Sequence, residues 1–159
     1  MSLRAYRRMT PLPFFVIAAL LMTCSDDKAA WDAKVKEMCE KDGGVAVYEK
    51  VALTQEEYKR LGGIAGTVPV PSRAAAPPNA PYVADTTISN IRDDRPRVYR
   101  RETKIVRTSD GKVLSRQITY GRIGGDVPSP AHHSSFGCET VGIRLDVEKQ
   151  TFEIGGDAK

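Results

Sequence analysis

Residues 1–23 set the limit on what the rest of the chain can fold into. Arg4, Arg7 and Arg8 form a basic start, and no acidic residue precedes Asp26. An apolar run follows from Leu12 to Met22, interrupted only by Pro13. Its length suits the apolar core of an export signal. A membrane span needs more, about 17–25 residues. Pro11 and Pro13 argue against a buried helix here, because proline would break its first turns. Residues 1–23 therefore read as a signal peptide that lies outside the fold.

The run Leu21-Met22-Thr23-Cys24 that ends this segment resembles the lipobox of bacterial lipoproteins. Leu21 and Cys24 match the motif, while Met22 and Thr23 depart from its usual residues. The resemblance implies cleavage before Cys24 and attachment of a diacylglyceryl group to its thiol. It implies an address and not an activity. Ser25 rather than Asp follows the cysteine, which in such lipoproteins favours the outer membrane, facing the periplasm. An acyl anchor supplies roughly 0.8 kcal/mol per buried CH₂. The body of the chain resembles small proteobacterial lipoproteins, none of which provides functional residues to carry over. A plain secreted domain without lipid is the alternative, although no A-x-A cleavage site lies nearby.

Processing before Cys24 changes the charge. The whole chain carries 24 Lys+Arg and 20 Asp+Glu, a net +4. Removing residues 1–23, and with them Arg4, Arg7 and Arg8, leaves 136 residues at a net +1. A basic balance therefore gives no reason to expect nucleic acid. With Cys24 lipidated, Cys39 and Cys138 remain as an even pair in an oxidising compartment. A disulfide between them is expected, with two separately buried thiols as the alternative. Neither sits in a C-x-x-C motif.

The mature chain reads as α+β: a helix-strand-helix segment, a Pro/Gly-rich linker and a small antiparallel sheet. In residues 24–61, Asp26 and Asp27 can cap a helix over 28–41. Trp31, Val35, Met38 and Cys39 make one apolar stripe on it. Trp31 suits core packing better than ligand stacking. Val45–Val51 reads as a strand, and Thr54-x-x-Glu57 as a capping box before a short helix. Residues 62–84 hold Pro69, Pro71, Pro77, Pro78 and Pro81 with little charge. They read as a spacer rather than a proline-rich ligand.

Residues 85–159 read as β-rich. Val98–Arg107 and Val113–Arg122 flank Asp110-Gly111, the preferred two-residue hairpin turn. That turn would pair Thr108 with Val113 and Ile105 with Arg116. Arg101, Arg107, Arg116 and Arg122 would then share one face with Tyr99 and Tyr120. Thr140–Val147 reads as a third strand, and Phe152 with Ile154 as a fourth.

Residues 92–122 carry ten Lys+Arg and four Asp+Glu, between acidic flanks. A shared face of Arg101, Arg107, Arg116 and Arg122 would hold phosphate or carboxylate groups by bidentate contacts. Its partners would be anionic lipid, lipopolysaccharide or peptidoglycan, with an envelope protein as a further partner. The competing reading is a solvated face neutralised by the acidic segments. A second candidate is the loop from Gly124 to Cys138, with Asp126, His132, His133, Ser134 and Ser135. A small envelope hydrolase built on it is the rival from another class, though no nucleophile elbow supports it. A metal site would need Cys138 reduced, so no metal and no cofactor is expected. The best reading is an exported, lipid-anchored protein with a structural or binding role.

Overall fold

The computed structural model describes residues 13–126 and 134–155, with side chains from Asp27 onward. The chain is α+β. Helix α1 (Pro13–Asp42) leads into strand β1 (Gly44–Val47). Strand β2 (Val51–Leu53) and helix α2 (Gln55–Arg60) follow. Three long strands form the body: β3 (Tyr82–Arg92), β4 (Arg97–Arg107) and β5 (Val113–Ile123). The short strand β6 (Ser135–Gly137) and a 3-10 turn at Cys138–Val141 come next. Helix α3 (Val147–Thr151) and strand β7 (Phe152–Ile154) close the described chain. No helix of the described residues is long and apolar enough to cross a membrane.

Helix α1 is longer than the expected 28–41 and begins at Pro13. Proline opens this helix instead of breaking it, because the first-turn N–H has no intrahelical partner to lose. Its stripe packs as its spacing requires. Val35 and Cys39 are buried, and Trp31 and Met38 pack beside them. Cys39 is disulfide-bonded to Cys138, 99 residues away in sequence. Thr54 caps α2: its hydroxyl accepts from the Glu57 N–H at 3.2 Å, and Glu57 accepts from the Thr54 N–H at 2.9 Å.

The main sheet has the order β1-β5-β4-β3 and is antiparallel throughout, with β6 also pairing β5. The expected strand Val45–Val51 is two strands in two sheets. β1 pairs β5, while β2 pairs β7 in parallel. The break falls at Tyr48 and Glu49, whose N–H groups both bond the Leu114 carbonyl. Residues 62–81 are not a free spacer. Val68 and Ala80 are buried, and Tyr82–Ala84 already belong to β3. The Pro71 carbonyl accepts from the Ala84 N–H, and the Ala84 carbonyl accepts from the Arg73 N–H, strapping this segment to the sheet edge.

Strand β3 has no counterpart in the sequence reading. Residues 86–91 are exposed on both faces, so no apolar alternation marks them. The expected strand Thr140–Val147 is instead a 3-10 turn, an extended stretch and the start of α3. Gly142 at φ 82° breaks the extended backbone. Val141, Ile143 and Leu145 still pack on the first core cluster.

Two clusters cover opposite faces of the sheet. Val98, Ile118 and Tyr120 meet α1 on one face. Ile105 and Leu114 meet Val68, Val147 and Phe152 on the other. The second face is covered only at that end. Its far end, around Tyr99 and Arg101, stays open.

Candidate functional site

The register of the hairpin decides which arginines are neighbours. Arg107 N–H bonds the Lys112 carbonyl, and Gly111 N–H bonds the Arg107 carbonyl. The turn therefore spans residues 108–111, with Gly111 at φ 70°, and is not a two-residue Asp-Gly turn. Val106 pairs with Val113, and Ile105 pairs with Ser115, which leaves Leu114 as an extra residue. Beyond this bulge, Lys104 pairs with Arg116, Arg101 with Thr119 and Val98 with Arg122. Ile105 thus does not face Arg116. A one-residue slip moves every side chain of one strand to the other face. Arg101 and Arg107 lie on one face, and Arg116 and Arg122 on the opposite one. The structure does not bring the four together.

Three of them are engaged within the fold. Arg107 Nη1 is 2.7 Å from Glu49, and Nη2 is 2.9 Å from Asp110. These carboxylates push its pKa further up, Asp110 first. Arg116 Nε donates to Glu102 Oε1 at 2.8 Å, and Arg100 Nη1 reaches Glu102 Oε2 at 2.7 Å. Arg116 and then Arg100 hold the Glu102 carboxyl down to about 2. Arg122 is 1% exposed and bonds Asp32 of α1 through Nε. Its Nη1 donates to the Gly124 carbonyl and the Ser134 hydroxyl. Arg101 alone of the four makes no salt bridge among the described residues. Its guanidinium lies 5.7 Å from the Tyr99 ring centroid.

The candidate loop is a clamp where it is described. Asp126 accepts from the Ser134 N–H at 2.7 Å and from its hydroxyl at 2.8 Å. Lys28 Nζ stands 3.0 Å away. The Ser134 N–H and hydroxyl, then Lys28, hold the Asp126 carboxyl well below the usual range. Such an aspartate is a weak base, and the Ser134 oxygen also accepts from Arg122. Ser135 is exposed on β6. His132 and His133 lie outside the described residues, as does the side chain of Cys24. Among the described residues, no three His, Cys, Asp or Glu side chains gather to hold a metal.

A site that sequence reasoning missed lies on the open half of the second face. A cleft of about 250 Å³ is lined by Tyr99, Arg101, Gln117, Thr119, Glu139 and Leu145 among others. β4 supplies Tyr99 and Arg101, and β5 supplies Gln117 and Thr119. The segment fastened by Cys138 forms the wall. Gln117 Oε1 is buried without a hydrogen-bond partner. An unmet buried acceptor costs about 1–3 kcal/mol, so this amide gains from any donor that reaches it. Gly121 makes room for Tyr99: a Cβ there would stand 2.5 Å from the Tyr99 hydroxyl.

A larger groove of about 540 Å³ runs beside the strap, between Arg60 and Pro71, Pro77 and Tyr82. It holds one charged side chain and no comparable convergence of polar groups. The Arg101 cleft combines a guanidinium, an amide, hydroxyls and an aromatic face, with the Glu139 carboxylate at its wall. That set suits a small ligand carrying a carboxylate or phosphate. No signal in the sequence singles it out, because it depends on which β5 residues lie beside β4. No protein-family model, curated protein or solved structure matches this chain.

Proposed function

We propose that this chain is an exported, lipid-anchored protein of the cell envelope with a binding role. Cys24 carries the anchor, on the outer membrane and facing the periplasm. The observation that carries this reading is the position of the contacts that fasten α1. Asp27 bonds Arg92 at 3.0 Å, Lys28 bonds Asp126, Asp32 bonds Arg122, and Trp31, Val35 and Cys39 pack in the core. A chain that begins at Cys24 keeps all of them. Only Ser25 and Asp26 then separate the acylated residue from a folded contact, a reach of about 10 Å at most. The body would rest on the membrane surface.

The binding part of the proposal rests on the Arg101 cleft, not on a four-arginine face. Its ligand class is an anionic envelope component bearing carboxylate or phosphate. Expression of the full chain in a Gram-negative host tests the anchor. The mature protein should stay with the membrane fraction and carry the mass of acyl groups on Cys24. Cys24→Ser should stay unprocessed. A soluble product with an unmodified Cys24 would sink the lipoprotein reading and leave a secreted binding domain.

A further inference from the structure

We propose that β3 joins two copies of this chain edge to edge through residues 86–90. The N–H and the C=O of Ala84 both point away from β4, since they bond the Pro71 carbonyl and the Arg73 N–H. Along a regular strand every second residue repeats that direction. β3 keeps an unbroken register with β4 from Tyr82 to Asn90. The N–H and C=O groups of Thr86, Ile88 and Asn90 therefore point outward. None of them meets another backbone group among the described residues.

The open edge has definite ends. The strap at residues 71–73 closes it at Ala84, and the bulge between Asn90 and Arg92 closes it beyond Asn90. Natural sheets usually guard such an edge with charge or proline. Here Thr86-Thr87-Ile88-Ser89-Asn90 has neither. Ile88 is 57% exposed and Ile91 44%.

The occupant is a second copy, because the window is symmetric about Ile88. In an antiparallel pair, Ile88 of each copy faces Ile88 of the other, and Thr86 faces Asn90. All outward groups then meet, in about six backbone hydrogen bonds. No like charges oppose each other. The charges at the two ends of the window, Asp85 and Arg92, are each neutralised within their own copy, by Arg73 and Asp27. The contact is isologous and closes at two copies. Ile88 pairs with Arg101 across β3 and β4, so it lies on the open face. The join would therefore set two Arg101 clefts on one continuous surface. It stands whether or not Cys24 is acylated.

Single cysteines in the otherwise intact full chain test the register. Facing positions in such a pair lie about 5.5 Å apart between Cα atoms, within disulfide range. Ile88→Cys should form a covalent dimer under mild oxidation far faster than Thr87→Cys, because Thr87 faces Ser89 of the other copy and not its own counterpart. A mixture of Thr87→Cys and Ser89→Cys chains should cross-link, since those positions face each other. Equal rates for Ile88→Cys and Thr87→Cys would overturn the proposal. As a second measurement, wild type should sediment as a dimer with a melting temperature that rises with protein concentration, and Ile88→Lys as a folded monomer whose melting temperature does not. A monomeric wild type across the accessible concentration range would also overturn it.

Discussion

Arg122 of β5 reaches Asp32 of α1 from a position 1% exposed to solvent, and this ion pair fastens the helix to the sheet. Asp32 is partly exposed, so the pair sits at the rim of the core and not at its centre. The guanidinium is also the shared donor for Gly124 and Ser134, which carry the start and end of the 124–134 loop. Removing the carboxylate strands a buried cation, which is more damaging than losing the attraction itself. Asp32→Ala should destabilise the chain by about 2–4 kcal/mol. Thermal unfolding monitored by circular dichroism checks this; a change within about 0.5 kcal/mol, as for an ordinary surface substitution, would refute it.

The Cys39–Cys138 disulfide ties α1 to the wall of the Arg101 cleft. Closing a loop of this length stabilises a chain by about 4–5 kcal/mol in the chain-entropy account. Reduction should therefore lower the melting temperature by roughly 10–20 °C for a chain of this size. A melt with and without a phosphine reductant reads it out, with thiol counting to confirm that both cysteines are released. An unchanged melt after complete reduction would show that the bridge adds no stability.

Glu102 stands between Arg116, Arg100 and Lys104, and its carboxyl is held to about 2, below the ordinary 4.5. A carboxyl depressed on folding contributes stability above its unfolded pKa and loses it as pH falls toward the folded one. The Glu102 contribution is thus complete above about pH 5 and fades between about pH 4.5 and 2. In denaturant titrations at several pH values, Glu102→Gln should flatten part of the acid limb. If wild type and variant lose stability in parallel over that window, Glu102 is not its source.

Arg101 and Arg116 should separate binding from folding. Arg101→Gln should weaken retention on vesicles containing phosphatidylglycerol, with little change in melting temperature. Arg116→Gln should leave retention intact and lower stability by about 1 kcal/mol, since its bidentate bond to Glu102 is partly exposed. Co-sedimentation and thermal melts check the pair. Equal retention of wild type and Arg101→Gln would remove the cleft as the anionic contact.

Gly121 offers an independent probe of the same cleft. Gly121→Ala places a methyl group where Tyr99 now lies, so the ring beside Arg101 must move. The Arg101 resonances should shift in an NMR comparison, and vesicle retention should fall as for Arg101→Gln. An unmoved Tyr99 ring would mean that the strands adjust instead.

Several features were legible because they are local. The Trp31-Val35-Met38-Cys39 stripe follows from helical spacing alone. The Thr54/Glu57 capping box requires only that a hydroxyl and a carboxyl stand three residues apart. The strand pair around Asp110-Gly111 was visible from its flanks, and the pairing of Cys39 with Cys138 followed from counting cysteines once Cys24 was set aside. β3 left no trace, since a strand exposed on both faces has no alternation to read. The Val141-Ile143-Leu145 alternation was real burial but not a strand, because Gly142 turns the backbone.

The amino-acid order alone therefore determined the α+β class, the amphipathic part of the first helix, its bond partner and a charged central hairpin. Only the tertiary structure decided which arginines share a face. A strand repeats every two residues, so the one extra residue at Leu114 carried Arg116 and Arg122 away from Arg101. Propensity does not specify that shift; it is set by the turn at 108–111 and by how Leu114, Ile105 and Val68 fill the core together. The same packing neutralised three of the four arginines and left Arg101 open to solvent.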